Sequence, residues 1–413
     1  MNHYDIIVIG GGPAGIFAAG FAARQGARVL LLEKNKRCGA KVLITGKGRC
    51  NITNDETDPR IFSQAFGRQG KALLTALHAF GVRDTIDFFE QRGLPLQIER
   101  GGRVFPVAGG AAGVQKVLDR FLQECGVTLL NNCPVRRLEL EGERVVAAMT
   151  PAGRFSADRF IIATGGLSYP ETGCTGDGYR WAEECGHRLT PPEPALVPVF
   201  LAEEWTGELM KFNLKNVRIA LQQSERTVTE RFGEAFFTAG GIGGPIVLDM
   251  SSEIRDVLKQ GEAVLLLDLK PAVSEELFDK RLQREFAENS NRDFSNSLGT
   301  LLPKDMIPLF IRLSAIPPAR KCHSITRGER AQLLKLFKGL KLHVRGVDGF
   351  AKAIVTSGGV TLADIDMRTM RSKKITNLYF AGEMIDLDGP TGGYNLQLCW
   401  STGYLAGISA AAD

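Results

Sequence analysis

Glycines at positions 10, 12 and 15, with Ala14 inside the same turn, are the first residues whose spacing carries a chemical meaning. G-x-G-x-x-G between a strand and a helix brings backbone N–H groups and a helix N-terminus against a pyrophosphate. Glycine is required there because a Cβ would block the approach. Glu33 closes the next apolar run, where a carboxylate can accept hydrogen bonds from ribose hydroxyls. These residues predict a seat for the ADP half of a dinucleotide.

That unit does not separate NAD from FAD. Three later pieces do. Ala163-Thr164-Gly165-Gly166 follows the apolar run FIIA as a second glycine turn, placed to lie against the cofactor. Gly382-Glu383 ends the run LYFA, where an acid can hold a ribityl chain. Gly393-Tyr394-Asn395-Leu396 opens a final helix whose free N–H groups can stabilise negative charge on a reduced flavin. The order of these pieces along the chain predicts FAD.

Reactive side chains cluster in the same loops. The Cys50 thiol can protonate the carbon next to one that receives hydride, and Arg49 beside it is expected to lower its pKa. The other reading of Cys50 is a small buried packing residue. Tyr169, Glu171, Asp177 and Tyr394 are acids or hydrogen-bonding loop residues; Tyr169 and Tyr394 join Cys50 as catalytic candidates. His323 reads as a surface histidine, and 240–244 before Pro245 as a glycine turn of the anion-binding kind without the acid that would make it a second nucleotide site.

Residues 4–9 read as a strand, 10–15 as a turn, 16–25 as a helix closed by Gly26 and 28–32 as a second strand, the opening βαβ unit of a doubly wound sheet. Helices are expected at 69–92 and 111–125, and strands at 128–131, 135–141, 145–150 and 160–163. The proline cluster at 190–200 marks an exit from this domain. Strand-like segments near 196–201, 217–222, 227–232 and 263–269 follow, then helical patterns over 274–340. Segments 350–363 and 378–381 return to strand before the final helix. The expected fold is α/β, with a first FAD-domain segment at 1–190, an insert at 191–345 (β-rich to 270, then helical and basic) and a C-terminal FAD-domain segment at 346–413.

The stretches GAKVLITGKGRCNITN (39–54), GRVFPV (102–107), ATGGLSYPETGCTGDGY (163–179), FFTAGGIGGP (236–245), VTSGGV (355–360) and YFAGEMIDLDGPTGGYNLQLCWSTG (379–403) resemble the BaiN/RdsA family of NAD(P)/FAD-dependent flavoproteins. The resemblance implies a glutathione-reductase-like, Rossmann-type FAD domain interrupted by a family-specific insert. It implies that Gly10, Gly12, Gly15 and Glu33 hold the ADP half, with Lys34 and Val135 beside the adenosine. Lys41, Arg49, Cys50 and Asn51 would lie on a loop over the flavin, and Gly382, Glu383, Gly393, Tyr394, Asn395 and Leu396 would close its other side. Lys47 departs from the glycine that many relatives carry there.

The implied activity is NAD(P)H-dependent reduction, through FAD, of a polarised carbon–carbon double bond. The acceptor is either uridine in large-subunit ribosomal RNA or an unsaturated small molecule such as a bile-acid or steroid enone. A non-catalytic flavoprotein that binds RNA or a protein is the third reading. Residues 300–345 hold ten Lys/Arg against Asp305 and Glu329, and the rest of the chain is net −3. That local excess favours RNA, with Arg320, Lys321, Arg327, Arg330, Lys335 and Lys338 as its contacts.

With 44% hydrophobic and 23% charged residues, and no apolar run near membrane-spanning length, the 413-residue chain is expected to be cytoplasmic and to have no membrane span. Its eight cysteines show neither CxxC pairing nor clustering with the five histidines, so reduced thiols and no metal site are expected.

Overall fold

In a computed structural model of the chain, which describes residues 3–210 and 212–413, the opening βαβ unit is formed by strand His3–Ile9, helix Pro13–Arg24 and strand Val29–Leu32. Ile6, Ile7, Val8, Leu30 and Leu31 have no exposed surface. Such continuous apolar runs suit parallel strands covered on both faces. The parallel core of the sheet runs Leu378–Phe380, Gly153–Ile162, His3–Ile9, Val29–Leu32, Thr128–Leu130. Antiparallel strands Arg137–Glu141 and Arg144–Thr150 attach to the first half of Gly153–Ile162, and the hairpin Ile365–Asp366/Arg371–Ser372 to the edge at Leu378–Phe380.

The chain forms two units, one from Met1–Ala195 with Phe350–Asp413, the other Leu196–Gly349. The first boundary falls inside the proline cluster, at 195 rather than 190, because Leu189–Ala195 is itself a strand, paired antiparallel with Val355–Val360 inside the first unit. The second falls after 345, because strand Leu340–Val347 belongs to the inserted unit.

Helix Pro13–Arg24 packs on the sheet and against the last helix, Tyr394–Ala412. A Cβ on Gly403 would meet Ala14 O at 2.3 Å, and one on Gly407 would meet Ala18 O at 2.4 Å. The two helices therefore touch backbone to backbone. Phe17 fills the space beside them, with ring centroids 4.6 Å from Trp400, 4.8 Å from Phe88 and 5.4 Å from Phe80. The helical stretch expected over 69–92 is broken at Phe80 and Gly81, where Gly81 N–H donates to the Asp84 carboxylate at 2.8 Å and starts a new helix, Val82–Glu90.

The second unit contains a closed antiparallel barrel, ordered Val199–Leu201, Gly241–Gly243, Arg226–Thr238, Asn213–Gln223, Ala263–Asp268, Leu340–Val347. Alternate residues such as Val217, Ile219, Leu221, Leu265, Leu267 and Leu342 fill it. Leu340–Val347 closes the barrel; the sequence reading ran its helical part to 340 and placed no strand here. Helices Glu275–Glu288, Ile307–Ser314 and Arg327–Lys338 have a core of their own, with the Phe337 ring 4.9 Å from both Phe278 and Phe310. Among the described residues no helix is long and apolar enough to cross a membrane.

The helix-on-helix contact makes a first test. Gly407→Val should cost about 2–3 kcal/mol by overpacking, read as a lower urea midpoint of unfolding. A midpoint equal to the parent's would mean that the two backbones are not in contact.

Candidate functional site: a dinucleotide cleft

A cleft open to solvent on one side lies at the carboxyl ends of the parallel strands. The three glycines serve it in three ways. Gly10, at φ +105, lies against Ala163, whose carbonyl oxygen would be 2.5 Å from an added Cβ. A Cβ on Gly15 would fall 1.8 Å from Gly10 O. Gly12 would meet nothing within 4 Å, because its open side faces the cleft that it lines. Gly10 and Gly15 are therefore needed by the fold, and Gly12 by whatever fills the cleft. Gly12 caps helix Pro13–Arg24 with no side-chain bond and no acid in the first turn, so the helix N-terminus keeps its positive end for an anion.

Glu33, 6% exposed, lines the cleft. Its Oε2 accepts from Gly11 N–H and its Oε1 from Asn35 N–H, both at 2.7 Å. A carboxylate has about four acceptor positions, so two remain for hydroxyls. Lys34 Nζ turns to Thr175 Oγ1 (2.6 Å) and Asp177 Oδ2 (2.8 Å) at the cleft wall. Burial pushes the Asp177 carboxyl up, but bonds from Lys34 and Thr175 hold it below its ordinary value. Asp177 is thus an ionised partner of Lys34 rather than a free acid. Val135 also lines this end.

At the other end Glu383 is gripped from three sides. Its Oε1 accepts from Ser168 Oγ and Thr356 N–H and its Oε2 from Lys41 Nζ, each at 2.7 Å; Lys41 also donates to Ser168 Oγ at 2.6 Å. Burial opposes the Lys41 charge, and the Glu383 carboxylate overcomes it, so the ammonium is held above its ordinary pKa. Thr356 Oγ1 in turn accepts from Leu167 and Ser168 N–H groups. The only unfilled position left on Glu383 is on Oε2. Gly382, Glu383, Ala163, Thr164 and Gly165 all line the cleft, while Gly166 is packed beneath it against Thr356.

Thr53, two residues beyond Asn51, meets Gly393 where the last helix begins; Asn51, Gly393, Tyr394, Asn395 and Leu396 are not among the residues that line the cleft. Gly393 lies against Thr53, with the carbonyl carbon and oxygen 2.3 Å from where its Cβ would be. Thr53 Oγ1 donates to Gln397 Oε1 at 2.7 Å, and Trp400 Nε1 donates to Ile52 O at 3.0 Å. These bonds fix segment 50–54 on the helix, whose N-terminus has no side-chain cap. Asn395 turns its side chain onto the preceding loop, bonding Gly389 N–H and O at 2.8 Å. It can offer a ligand its backbone N–H, but its amide is taken. The Tyr394 ring packs on Phe62 at 4.8 Å, and Leu396 packs on the core.

Two expectations for this loop are corrected. Cys50 is fully buried, and burial pushes its thiol up to about 12 despite a bond from Thr45. Arg49 does not lower it, because its guanidinium lies over Phe105, 4.1 Å from the ring centroid, and pairs with Glu99. Neither residue lines the cleft. Tyr169 sits at φ +51, its N–H donating to Phe350 O at 2.9 Å.

In the basic insert one contact, Lys338, is corrected. Arg320 pairs with Glu329, Lys321 with Asp293 (2.8 Å), Arg330 with Asp279 (2.7 Å) and Lys338 with Asp268 (2.8 Å). Lys338, with a 6% exposed side chain, also donates to the carbonyls of Lys270 and Val273 and cannot reach a nucleic acid. Three of these acids lie outside 300–345, so the local charge count misses them. Arg327 and Lys335 are exposed. His323 Nδ1 is 2.9 Å from Ser290 O on the surface. In 240–244 the glycines serve packing: a Cβ on Gly241 would meet Val199 O at 1.9 Å.

Sequence reasoning missed Ser168, Thr356 and Trp181. Ser168 and Thr356 stand in the SYPETG and VTSGGV stretches without chemistry that singles them out. Trp181 lines the cleft, and its buried Nε1 has no hydrogen-bond partner; the buried Oδ1 atoms of Asn51 and Asn131 are orphaned likewise. Buried polar atoms are almost always satisfied. An orphaned donor in the cleft wall at Trp181, with an open Gly12 and two prepared carboxylates, fits a long dinucleotide such as FAD.

The HI0933-like protein Rossmann domain matches residues 4–409. The 3-dehydro-bile acid delta(4,6)-reductase of Clostridium scindens is 32% identical over 100% of this chain and 99% of that protein. The ribosomal RNA dihydrouridine synthase of Escherichia coli is 31% identical over 98% of this chain and 97% of that protein. Among solved structures, the 3-ketosteroid delta1-dehydrogenase of Sterolibacterium denitrificans covers both chains completely with a TM-score of 0.56 at 15% identity, a likeness of fold.

Gly12→Ala should keep the stability of the cofactor-free protein within about 1 kcal/mol while weakening FAD binding about tenfold to a hundredfold. Gly15→Ala should instead lower stability by about 1–3 kcal/mol. Equal behaviour of the two variants in urea unfolding and flavin-fluorescence titration would refute this division of roles. Iodoacetamide at pH 8 should leave Cys50 unmodified in the native protein, since its thiolate forms only near pH 12; mass spectrometry of the labelled peptide reads this.

Proposed function

The chain belongs to the HI0933-like family, whose Rossmann domain spans nearly all of it, and from that premise we propose that this FAD-dependent oxidoreductase uses NADH or NADPH to reduce a uridine in large-subunit ribosomal RNA. The observation that carries the redox half is the pairing of two prepared carboxylates, Glu33 and Glu383, at opposite ends of a cleft whose wall is open at Gly12.

Glu33 would take the adenosine ribose, the N-terminus of helix Pro13–Arg24 the pyrophosphate and Glu383 a ribityl hydroxyl. Bound FAD supplies hydride transfer. The chain's own residues orient and enclose. Lys41, Ser168 and Thr356 hold the Glu383 carboxyl group in place. The N-terminus of helix Tyr394–Ala412, with no acid in its first turn, favours negative charge beside it. In the overall reaction the double bond gains a hydride and a proton while NAD(P)H becomes NAD(P)+. Cys50, Tyr169 and Tyr394 are the candidate groups for the proton, with Cys50 able to act only as a neutral thiol.

Full-length identity of 29–31% to two proteins named ribosomal RNA dihydrouridine synthases supports RNA as acceptor. The exposed cations Lys47 and Arg49, on the loop that leads into Asn51, suit a polyanion. The relative named a bile-acid reductase supports the second reading, an unsaturated small molecule.

Anaerobic titration of the holoprotein with NADPH and with NADH should bleach the flavin. Adding unmodified large-subunit ribosomal RNA should restore its colour and yield dihydrouridine, read by mass spectrometry of the digested RNA. Recovery of colour with a steroid enone and none with RNA would replace the RNA reading with the small-molecule one. A flavin that neither nucleotide reduces would remove the NAD(P)H assignment.

A further inference from the structure

Strands Thr53–Asn54, Arg103–Pro106 and Leu96–Glu99 form a small antiparallel sheet at the edge of the flavin-side loop. Asn54 binds it to the start of the last helix: its Nδ2 donates to Gly101 O at 3.1 Å and to Gly392 O at 3.3 Å. The turn at 100–102 is therefore one side chain away from the glycines that open helix Tyr394–Ala412. Arg100 is exposed on that turn, and its carbonyl accepts from Arg103 Nε at 3.0 Å.

Phe105, on the same strand as Arg103, carries the Arg49 guanidinium on its face. The Arg49 side chain is 52% exposed on the solvent side of that ring. Lys47 is exposed beside it at φ +58, between Gly46 and Gly48. Glycine would take that left-handed conformation more readily. Of the acids nearby, Glu99 pairs with Arg49, and Asp55 lies against Gly102. Ile44 and Val107 are exposed on the same loop and hairpin at 43% and 56%.

We propose that this loop and hairpin, rather than the inserted helix Arg327–Lys338, form the docking surface for the RNA that carries the target uridine. The inference rests on the RNA reading above. Arg49 is a stacking plate for an unpaired base, since single-stranded RNA is gripped by stacking on aromatic rings and guanidinium planes. Lys47, Arg100 and Arg103 contact phosphates, and the exposed aliphatic side chains lie against splayed bases or ribose.

The test measures binding of an unmodified large-subunit ribosomal RNA fragment to the holoprotein by fluorescence anisotropy over a series of KCl concentrations. R100Q/R103Q should bind at least tenfold more weakly at low salt, and its log–log salt slope should fall by about 1.5. FAD content and the dithionite-reduced flavin spectrum should match the parent, and R327Q/K335Q should bind like the parent. R100Q alone, which keeps the carbonyl that holds Arg103, should show about half the slope change and guards against a collapsed turn. Parent-like binding by R100Q/R103Q, or an equal loss in R327Q/K335Q, would overturn the surface while leaving the RNA reading intact. A parent protein that fails to bind the RNA would remove both.

Discussion

Everything in the first unit depends on how closely two helix backbones approach. Gly403 and Gly407 leave room for Ala14 and Ala18, so the last helix lies directly on the first. Side chains of ordinary size would hold the axes about 8–10 Å apart. The close approach lays Cys399 of the last helix beside the cleft that the N-terminus of the first helix opens onto. The distance in sequence between Gly12 and Cys399 disappears at this contact.

The second constraint is electrostatic. A lone carboxylate at Glu383 would be costly to bury, and so would a lone ammonium at Lys41. Their mutual bond, completed by Ser168 and Thr356, makes a satisfied network in which the carboxylate has little freedom left. Replacing such a pair with apolar side chains of similar volume is often neutral for stability. Its retention is better explained by the fixed acceptor that it presents to the cleft.

What the sequence disclosed, it disclosed through local requirements. Gly10, Gly12, Gly15 and Glu33 were legible because a turn, a close approach and a ribose acceptor each demand one residue type at one spacing. The charge of 300–345 was not legible in the same way. Asp268, Asp279 and Asp293, which neutralise Lys338, Arg330 and Lys321, lie outside that window. Cys50 looked reactive beside Arg49, yet Phe105 and Glu99 draw the guanidinium away and burial keeps the thiol protonated. Ser168 and Thr356 acquire a role only once Glu383 is folded against them. Strand Leu340–Val347 was lost to the helical pattern before it, since its partners lie far away at 199–201 and 263–268.

Strand Leu189–Ala195 leaves the first unit alongside Val355–Val360, which re-enters it, with Ala195 directly opposite Val355. On a ribosome, a nascent chain that has reached Ala195 holds the pyrophosphate turn and Glu33 but lacks Glu383, Gly393 and the helix that anchors Asn51. The whole of Leu196–Gly349 must be made before the matching strand can pair. The cradle is thus completed only after the whole insert has been made, and cofactor capture becomes a late checkpoint of synthesis rather than an early nucleus.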